Sequence, residues 1–490
     1  MVRGRRRAAE ASAAATDFRR ASVSLRSRPT DAKRNRDTIA AISTAPGRGA
    51  IAVIRVSGPD VRAIADTIGL NDLEARRASV RRLDHPDGGG GVDRVLATLF
   101  PGPGSYTGED LLEISSHGGA LVPQLVLDAV LAAGARPAEP GEYTRRAYLN
   151  GRVDLLQAEA TADLIEAASP ALAHIALQQL ERGLSRRIES LRAQLIEAQA
   201  LIAYSIDFPD EDDGPLDPAR LDAVMVTLAG ELEGLLALAP EGEMLREGAL
   251  TVIAGRPNAG KSSLFNVLVG FERAIVTEHP GTTRDAIEAV VGVEGYPFRL
   301  VDTAGLRDEA GDIEGIGIEV ARSYLSRAEI VLFCVEDGRP LDREEQEFLS
   351  GVSTGRASGR AILVRTKTDR VEDRAPGNDR SAIGDLPEVR FSSVAGAGVT
   401  RLRELLLEAA YSGLRSEVEA PLVTRRRHVR ALEDARADVE GFETARTAGL
   451  PPEIAATHLQ DATLRLEELL GVVTTEDLLD AVFSSFCVGK

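Results

Sequence analysis

At 490 residues with 43% hydrophobic side chains, the chain has length for about three domains and enough apolar content for real cores. No apolar run is long or charge-free enough to span a bilayer, and two cysteines without a secretory signal exclude a disulfide framework and point to the cytosol. A formal charge of −18 argues against a general polyanion binder.

Residues 1–36 differ in kind from the remainder of the chain. They carry eleven Lys/Arg against three Asp/Glu among alanines and serines, with no apolar face. A disordered basic arm or an over-extended start is expected; a transit-peptide-like leader, and hence a mitochondrial location, is the alternative. The rest holds 47 Lys/Arg against 73 Asp/Glu. Nucleic acid would have to meet a local patch, such as Arg425-Arg426-Arg427-His428, or a partner's surface.

Residues 37–150 read as a strand-rich domain with short helices: Thr38–Ile42, Ala50–Val56 and Leu111–Ser115 are extended, joined by glycine- and proline-bearing turns. Residues 151–245 turn helical. Leu177, Leu180, Leu184, Ile188, Leu191, Leu195 and Ile202 recur every three or four residues, predicting one apolar stripe along a long helix that ends at Phe208-Pro209. A second helical stretch runs to about Leu245, and helical patterning returns from Arg401 to the end. Residues 246–410 then form an α/β domain, mostly parallel, inserted into a helical domain made of 151–245 and 411–490.

The inserted segment carries the chemistry. Gly255 to Ser263 reads GRPNAGKSS, after the apolar run Leu250–Ala254 and before Leu264-Phe265, the strand–loop–helix setting of a phosphate-binding loop. Asn258, Ala259, Gly260 and Ser263 would shape the cradle, Lys261 would reach the β- and γ-phosphates, and Ser262 would ligate Mg2+. Downstream, Asp302-Thr303-Ala304-Gly305 closes a second apolar stretch. There an aspartate can hold magnesium through water and the Gly305 amide can meet the γ-phosphate. Between them, Gly281-Thr282-Thr283 offers Thr283 as a further magnesium ligand. Ala361–Val364 ends in Thr366-Lys367-Thr368-Asp369, where the Asp369 carboxylate would accept two guanine N–H groups that adenine lacks. Ser392-Ser393-Val394 is the matching base loop. Each piece alone has a plain reading as a cap or turn; in this order they predict GTP binding.

Two positions depart from the usual pattern. Thr366 stands where asparagine is common, and Ser393-Val394 where alanine and a basic residue are common, which predicts modest affinity. The residue after Gly305 is Leu306, which cannot orient water. Glu314, in a glycine-flexible loop, is the nearest candidate, with a solvated glutamate as its plain reading. Cys334, in the apolar run Ile330–Val335, reads as a buried thiol.

From Asp37 to Lys490 the chain resembles the bacterial tRNA-modification GTPase family MnmE, also called TrmE. The resemblance is carried by Pro46-Gly47-Arg48-Gly49, Phe100-Pro101-Gly102-Pro103, Tyr106-Thr107-Gly108-Glu109-Asp110, His117-Gly118-Gly119, Pro140-Gly141-Glu142, Asp207-Phe208-Pro209-Asp210, the phosphate loop and the terminal Phe486-Cys487-Val488-Gly489-Lys490. It implies a folate-binding α+β domain that homodimerises, a helical domain, and an inserted Ras-like P-loop GTPase domain. It further implies a flavoprotein partner, MnmG-like, that carries FAD and forms a heterotetramer. Together they would add an aminomethyl or carboxymethylaminomethyl group to C5 of the wobble uridine of certain tRNAs. The one-carbon unit would come from a tetrahydrofolate derivative, 5,10-methylene- or 5-formyl-THF. The matching folate contacts are Arg55, Glu113, Arg152 and Lys490, with Arg152 in place of a more usual lysine. Cys487 is carried over as the candidate residue for tRNA modification. By the same resemblance K+ would be held by Asn258, Thr277, His279 and Thr282, and Glu314 would be the catalytic glutamate. A ribosome-assembly GTPase is one alternative, disfavoured because no long basic stretch follows the nucleotide domain. A stand-alone folate-dependent methyltransferase is the other.

Overall fold

The structure is a computed structural model and describes residues 37–88, 90–167, 169–207, 218–271, 288–302, 323–353, 360–370, 386–414 and 422–489. It divides into two compact units: residues up to Val153 joined by Glu476–Lys490, and Asp154–Thr475.

The first unit is a six-stranded sheet in the order β3-β4-β5-β2-β1-β6, with β1 Ile39–Ile42, β2 Ile51–Ser57, β3 Ser79–Asp84, β4 Gly91–Phe100, β5 Leu111–His117 and β6 Arg136–Pro137. All neighbours are antiparallel except β1 and β6. The three predicted strands are present. The polar β3 and the long β4 add two that strict alternation does not announce. Along β2, Ile54 and Val56 turn to one face, where they pack with Val61 and Ile64 of α1 (Val61–Thr67) and with Val126 and Val130 of α2 (Val122–Ala132). Arg55 therefore faces the other side. There, Ile39, Ala41 and Leu111 meet Tyr143 of α3 (Glu142–Leu149).

The last helix, Glu476–Ser484, belongs to this unit although it ends the sequence. Leu479 and Phe483 are buried. Phe483 packs on Gly141, whose left-handed φ of 66° opens α3; a Cβ there would sit 2.5 Å from the Phe483 carbonyl oxygen.

In the second unit α4 (Leu155–Glu166), α5 (Pro170–Leu180), α6 (Gly183–Asp207), α7 (Pro218–Ala237) and α8 (Ala239–Glu247) precede the nucleotide domain. The single long helix predicted from the stripe is two. Arg182 adopts φ 68° before Gly183 and breaks it. Leu184, Ile188, Leu191, Leu195 and Ile202 do form one buried face on α6, but Leu177 lies 44% exposed because α5 buries Leu172, Ile175 and Ala176 instead.

The nucleotide domain is a sheet in the order β12-β11-β10-β7-β9-β8, parallel except for the β8–β9 hairpin. Its elements are β7 Ala249–Gly255, α9 Lys261–Phe271, β8 Glu288–Val293, β9 Tyr296–Asp302, β10 Ile330–Glu336, α10 Arg343–Ser353, β11 Arg360–Thr366, β12 Glu388–Arg390 and α11 Val399–Tyr411. Apolar clusters cover both faces, which is why β7, β10 and β11 read as unbroken apolar runs. The chain then returns through α12 (Arg426–Thr447) and α13 (Pro452–Leu470) to the helical core.

The Arg425–His428 run is not a free basic patch. Arg425 pairs with Asp163 at 2.6 Å, Arg427 with Glu159 at 2.9 Å, and buried His428 with Glu159 at 2.6 Å. Exposed Arg426 lies 3.5 Å from Glu243 and 3.7 Å from Glu247. Glu159 and Asp163 are buried on α4, and a buried carboxylate needs cations and donors around it.

Candidate functional site

β7 delivers its last residue, Gly255, to a turn that only glycine fits: φ is 135°, and a Cβ would strike the backbone of Cys334 in β10. Asn258 (φ 65°) and Gly260 (φ 89°) bend the loop on, and α9 starts at Lys261. This is the strand–loop–helix geometry that turns backbone amides and a helix N-terminus toward an anion. Lys261, buried, donates to the carbonyls of Gly255 at 3.0 Å and Arg256 at 2.9 Å. The Ser262 hydroxyl donates to Asp302 Oδ2 at 2.7 Å, and Asp302 is almost fully buried at the end of β9. A hydroxyl and a carboxylate oxygen side by side suit a hard cation such as Mg2+. A cavity of about 850 Å³ opens here, lined by the loop, by Lys367 and Arg370, and by Phe333 of β10 and Glu344, Glu345 and Phe348 of α10. Cys334 behind the loop is buried, and burial pushes its thiol up to about 12, so it is inert as expected.

On the base side, Thr366 ends β11. Its hydroxyl donates to the Ala259 carbonyl at 2.7 Å, tethering the phosphate loop to the strand that carries Lys367 and Asp369. Asp369 Oδ1 accepts from the Ser392 hydroxyl at 2.6 Å, and that hydroxyl accepts the amides of Val394 and Ala395. The Ser392 hydrogen bond holds the Asp369 carboxyl below its usual range, so it is an anion ready to accept. Ser393 and Val394 are exposed.

In the first unit, Arg55 and Glu113 face each other across β2 and β5 and pair at 2.9 Å. The Arg55 guanidinium lies over the Tyr106 ring, 5.8 Å from its centre, and Tyr106 hydrogen-bonds Thr144 at 2.9 Å. Exposed Arg152 borders the same loop: a Cβ on Gly108 would lie 3.3 Å from its Cγ. Three of the four folate candidates thus gather around Tyr106–Gly108. Beneath them Arg146 is buried and joined to Asp37 (2.8 Å), Glu142 (2.9 Å) and Glu109 (3.1 Å). Burial would raise the Glu142 carboxyl; Arg136 and Arg146 outweigh it and hold the group low. Sequence reasoning assigned no role to Tyr106 or Arg146, although Tyr106 opens a motif it singled out.

The C-terminal strap is docked. Val488 bridges Pro140, the Gly489 carbonyl accepts from the Ser43 hydroxyl at 2.9 Å, and a Cβ on Gly489 would lie 2.5 Å from the Ile42 carbonyl. Cys487 is exposed. Thr277, His279, Thr282, Thr283, Thr303, Ala304, Gly305, Leu306, Glu314 and Lys490 lie outside the described residues. Among the described residues no His/Cys/Asp/Glu cluster could hold a metal by itself, and no helix is long and apolar enough to cross a membrane.

Two family models match the chain: the GTP-binding protein TrmE N-terminus over residues 38–152, and the MnmE helical domain over 155–487. A tRNA modification GTPase MnmE from Geobacter sulfurreducens is 42% identical over 462 residues, 93% of this chain and 99% of that protein. One from Salinibacter ruber is 40% identical over the same shares. Among solved structures, the G domain of the T. maritima FeoB iron transporter is 30% identical, with a TM-score of 0.26 over 33% of this chain and 97% of that domain.

Proposed function

The chain belongs to the MnmE family of tRNA-modification GTPases, and we propose from that premise that its GTP hydrolysis drives an addition to C5 of the wobble uridine of certain tRNAs. The group added is aminomethyl or carboxymethylaminomethyl, and an MnmG-like flavoprotein is the partner that brings FAD and completes a heterotetramer around a homodimer of this chain. A methylene-tetrahydrofolate would supply the one-carbon unit. The cytoplasm is the site of action.

The observation that carries this reading is the pairing of two separate constellations in one chain. One is the phosphate loop with Lys261, Ser262 and Asp302 and the Asp369–Ser392 base acceptor. The other is the Arg55–Glu113 pair beside Tyr106 and Arg152, which GTP does not need. A fixed cation suits the anionic glutamate tail of a folate, and a carboxylate suits the amide-type donors of its pterin ring. In hydrolysis, Lys261 and the loop amides would hold the β- and γ-phosphates while Glu314 positions the attacking water. Mg2+ held by Ser262 and Thr283 would neutralise phosphate charge. K+ held by Asn258, Thr277, His279 and Thr282 would add to it between facing nucleotide domains.

Mass spectrometry of wobble nucleosides in tRNA tests the reading. A deletion strain should lose the modified uridine, wild-type gene should restore it, and Lys261→Ala should not. Unchanged nucleosides in the deletion strain would refute it. Turnover should also be faster in potassium than in sodium chloride at matched ionic strength.

A further inference from the structure

The connection from β10 into α10 contains none of the nucleotide motifs, yet the phosphate loop, the Thr366–Lys367 segment and the strand before the base loop are each tied to it. On the base side, Lys367 pairs with Glu336 at 3.0 Å, the Asp337 amide donates to the Thr366 carbonyl at 2.9 Å, and Arg390 of β12 pairs with Asp337 at 2.6 Å. Arg365 donates to the Arg339 carbonyl at 2.9 Å. On the phosphate side, Arg256, the residue after Gly255, pairs with Asp342 and reaches Glu345 at 3.3 Å.

Asp342 and Glu345 are not free to follow it. They close α10 reciprocally: the Glu345 amide donates to Asp342 at 3.0 Å and the Asp342 amide to Glu345 at 3.1 Å. The Glu345 side chain is only 5% exposed and also holds Arg339. Arg256 is therefore anchored to a fixed, buried carboxylate that already has a structural task.

We propose that the Glu336–Glu345 segment is a positioning element for the nucleotide, with the pairing of Arg256 to Asp342 and Glu345 as its grip on the phosphate loop; this rests on the GTPase reading. The loop binds phosphate through amides whose directions are set by its backbone angles, including the left-handed Asn258 two residues after Arg256. An anchored Arg256 restricts the loop to the converging conformation. Without the anchor, the competent conformation is a smaller fraction of the population, and apparent affinity falls by that fraction. Lys261, Ser262 and Asp302 keep their own contacts, so the bound complex would react as before. Arg256 is itself half exposed, and exposed pairs contribute little; what sets this one apart is that Asp342 and Glu345 are fixed by the reciprocal cap of α10 and Glu345 is buried.

The test uses the full chain and a fluorescent GDP analogue. Glu345→Gln keeps the α10 cap, because glutamine serves at that position as well, and removes the charge that Arg256 and Arg339 both face. Arg256→Met removes its pairs with both Asp342 and Glu345. Each should raise the GDP off-rate and the KM for GTP on the order of ten-fold, as for a lost hydrogen bond to a charged group. The kcat at saturating GTP should hold within about two-fold, which also reports that the variants fold. The double variant should be no worse than the poorer single, and Arg256→Lys should fall between. Wild-type off-rates in both single variants, additive losses in the double, or a loss in kcat at unchanged KM would overturn the proposal. A wild-type chain that binds no GDP analogue would refute the GTPase reading as well.

Discussion

In the nucleotide domain, Gly255 to Ser262 supply turn, cradle, lysine and hydroxyl within eight consecutive residues. In the N-terminal unit, Arg55, Tyr106, Glu113 and Arg152 come from β2, a loop, β5 and the chain after α3. The first arrangement reads phosphate with backbone amides, which must be contiguous, so the ligand imposes a motif. The second gathers side chains across a sheet, where spacing is set by strand order, so no spacing rule marks it. Contiguous sites should fail through local loop changes, and gathered sites through single side chains.

The largest expected effect lies on the nucleotide side. Glu314→Ala should lower kcat on the order of 100-fold or more, the scale of a lost water-positioning base, with GTP affinity unchanged. Single-turnover hydrolysis measures it; a variant at wild-type rate would give the water to another group. A smaller effect sharpens the contiguity argument. Thr366→Val keeps shape but loses the hydroxyl that holds Ala259. Its KM for GTP should rise about five-fold, the scale of one hydrogen bond, with recovery in Thr366→Ser. Equal KM in all three proteins would show that the tether is idle.

Much of the nucleotide half was legible because its strands are buried on both faces and its loops carry the ligand's demands. What escaped there is the Arg256 anchor, since a partner so far along the chain obeys no local period. The Arg425–His428 run misled for a related reason. Composition shows four cationic positions, while the carboxylates that claim them sit some 260 residues earlier, Arg425 on Asp163 and Arg427 on Glu159. A signal was present: Glu159 and Asp163 interrupt an otherwise apolar helix, Leu155-Leu156-Gln157-Ala158-Glu159-Ala160-Thr161-Ala162-Asp163, and acids so placed require buried partners. In the N-terminal unit the strands were legible, whereas the site came only from the family resemblance. Tyr106 lies in the loop before β5, and only the fold brings its ring under Arg55.

The same buried network gives the smallest effect. Burial, with Arg427 and Arg425 nearby, holds His428 below its ordinary 6.5 despite Glu159. Burial alone would raise Glu159 above its ordinary 4.5, but the hydrogen bond from His428 and the charges of Arg427 and Arg425 hold it low. Both groups therefore contribute stability that is present above those ordinary values and is lost as pH falls below them. Thermal unfolding should shift down by a few degrees between about pH 7 and pH 5, chiefly through His428, and His428→Gln should flatten that slope. An identical slope in the variant would assign the pH dependence elsewhere.

If two separate sites on one chain serve one modification, both are needed for tRNA modification and only one for GTP hydrolysis. Glu113→Gln tests it most directly, since it removes the charge facing Arg55 and touches nothing in the nucleotide domain. Purified protein is assayed for hydrolysis, and wobble nucleosides from a strain carrying the variant are measured by mass spectrometry. Hydrolysis should stay at the wild-type rate while modified uridine falls on the order of ten-fold or more, as for a lost charge-assisted contact in a binding site. Wild-type levels of the modified nucleoside, or hydrolysis lost along with it, would contradict the division of labour.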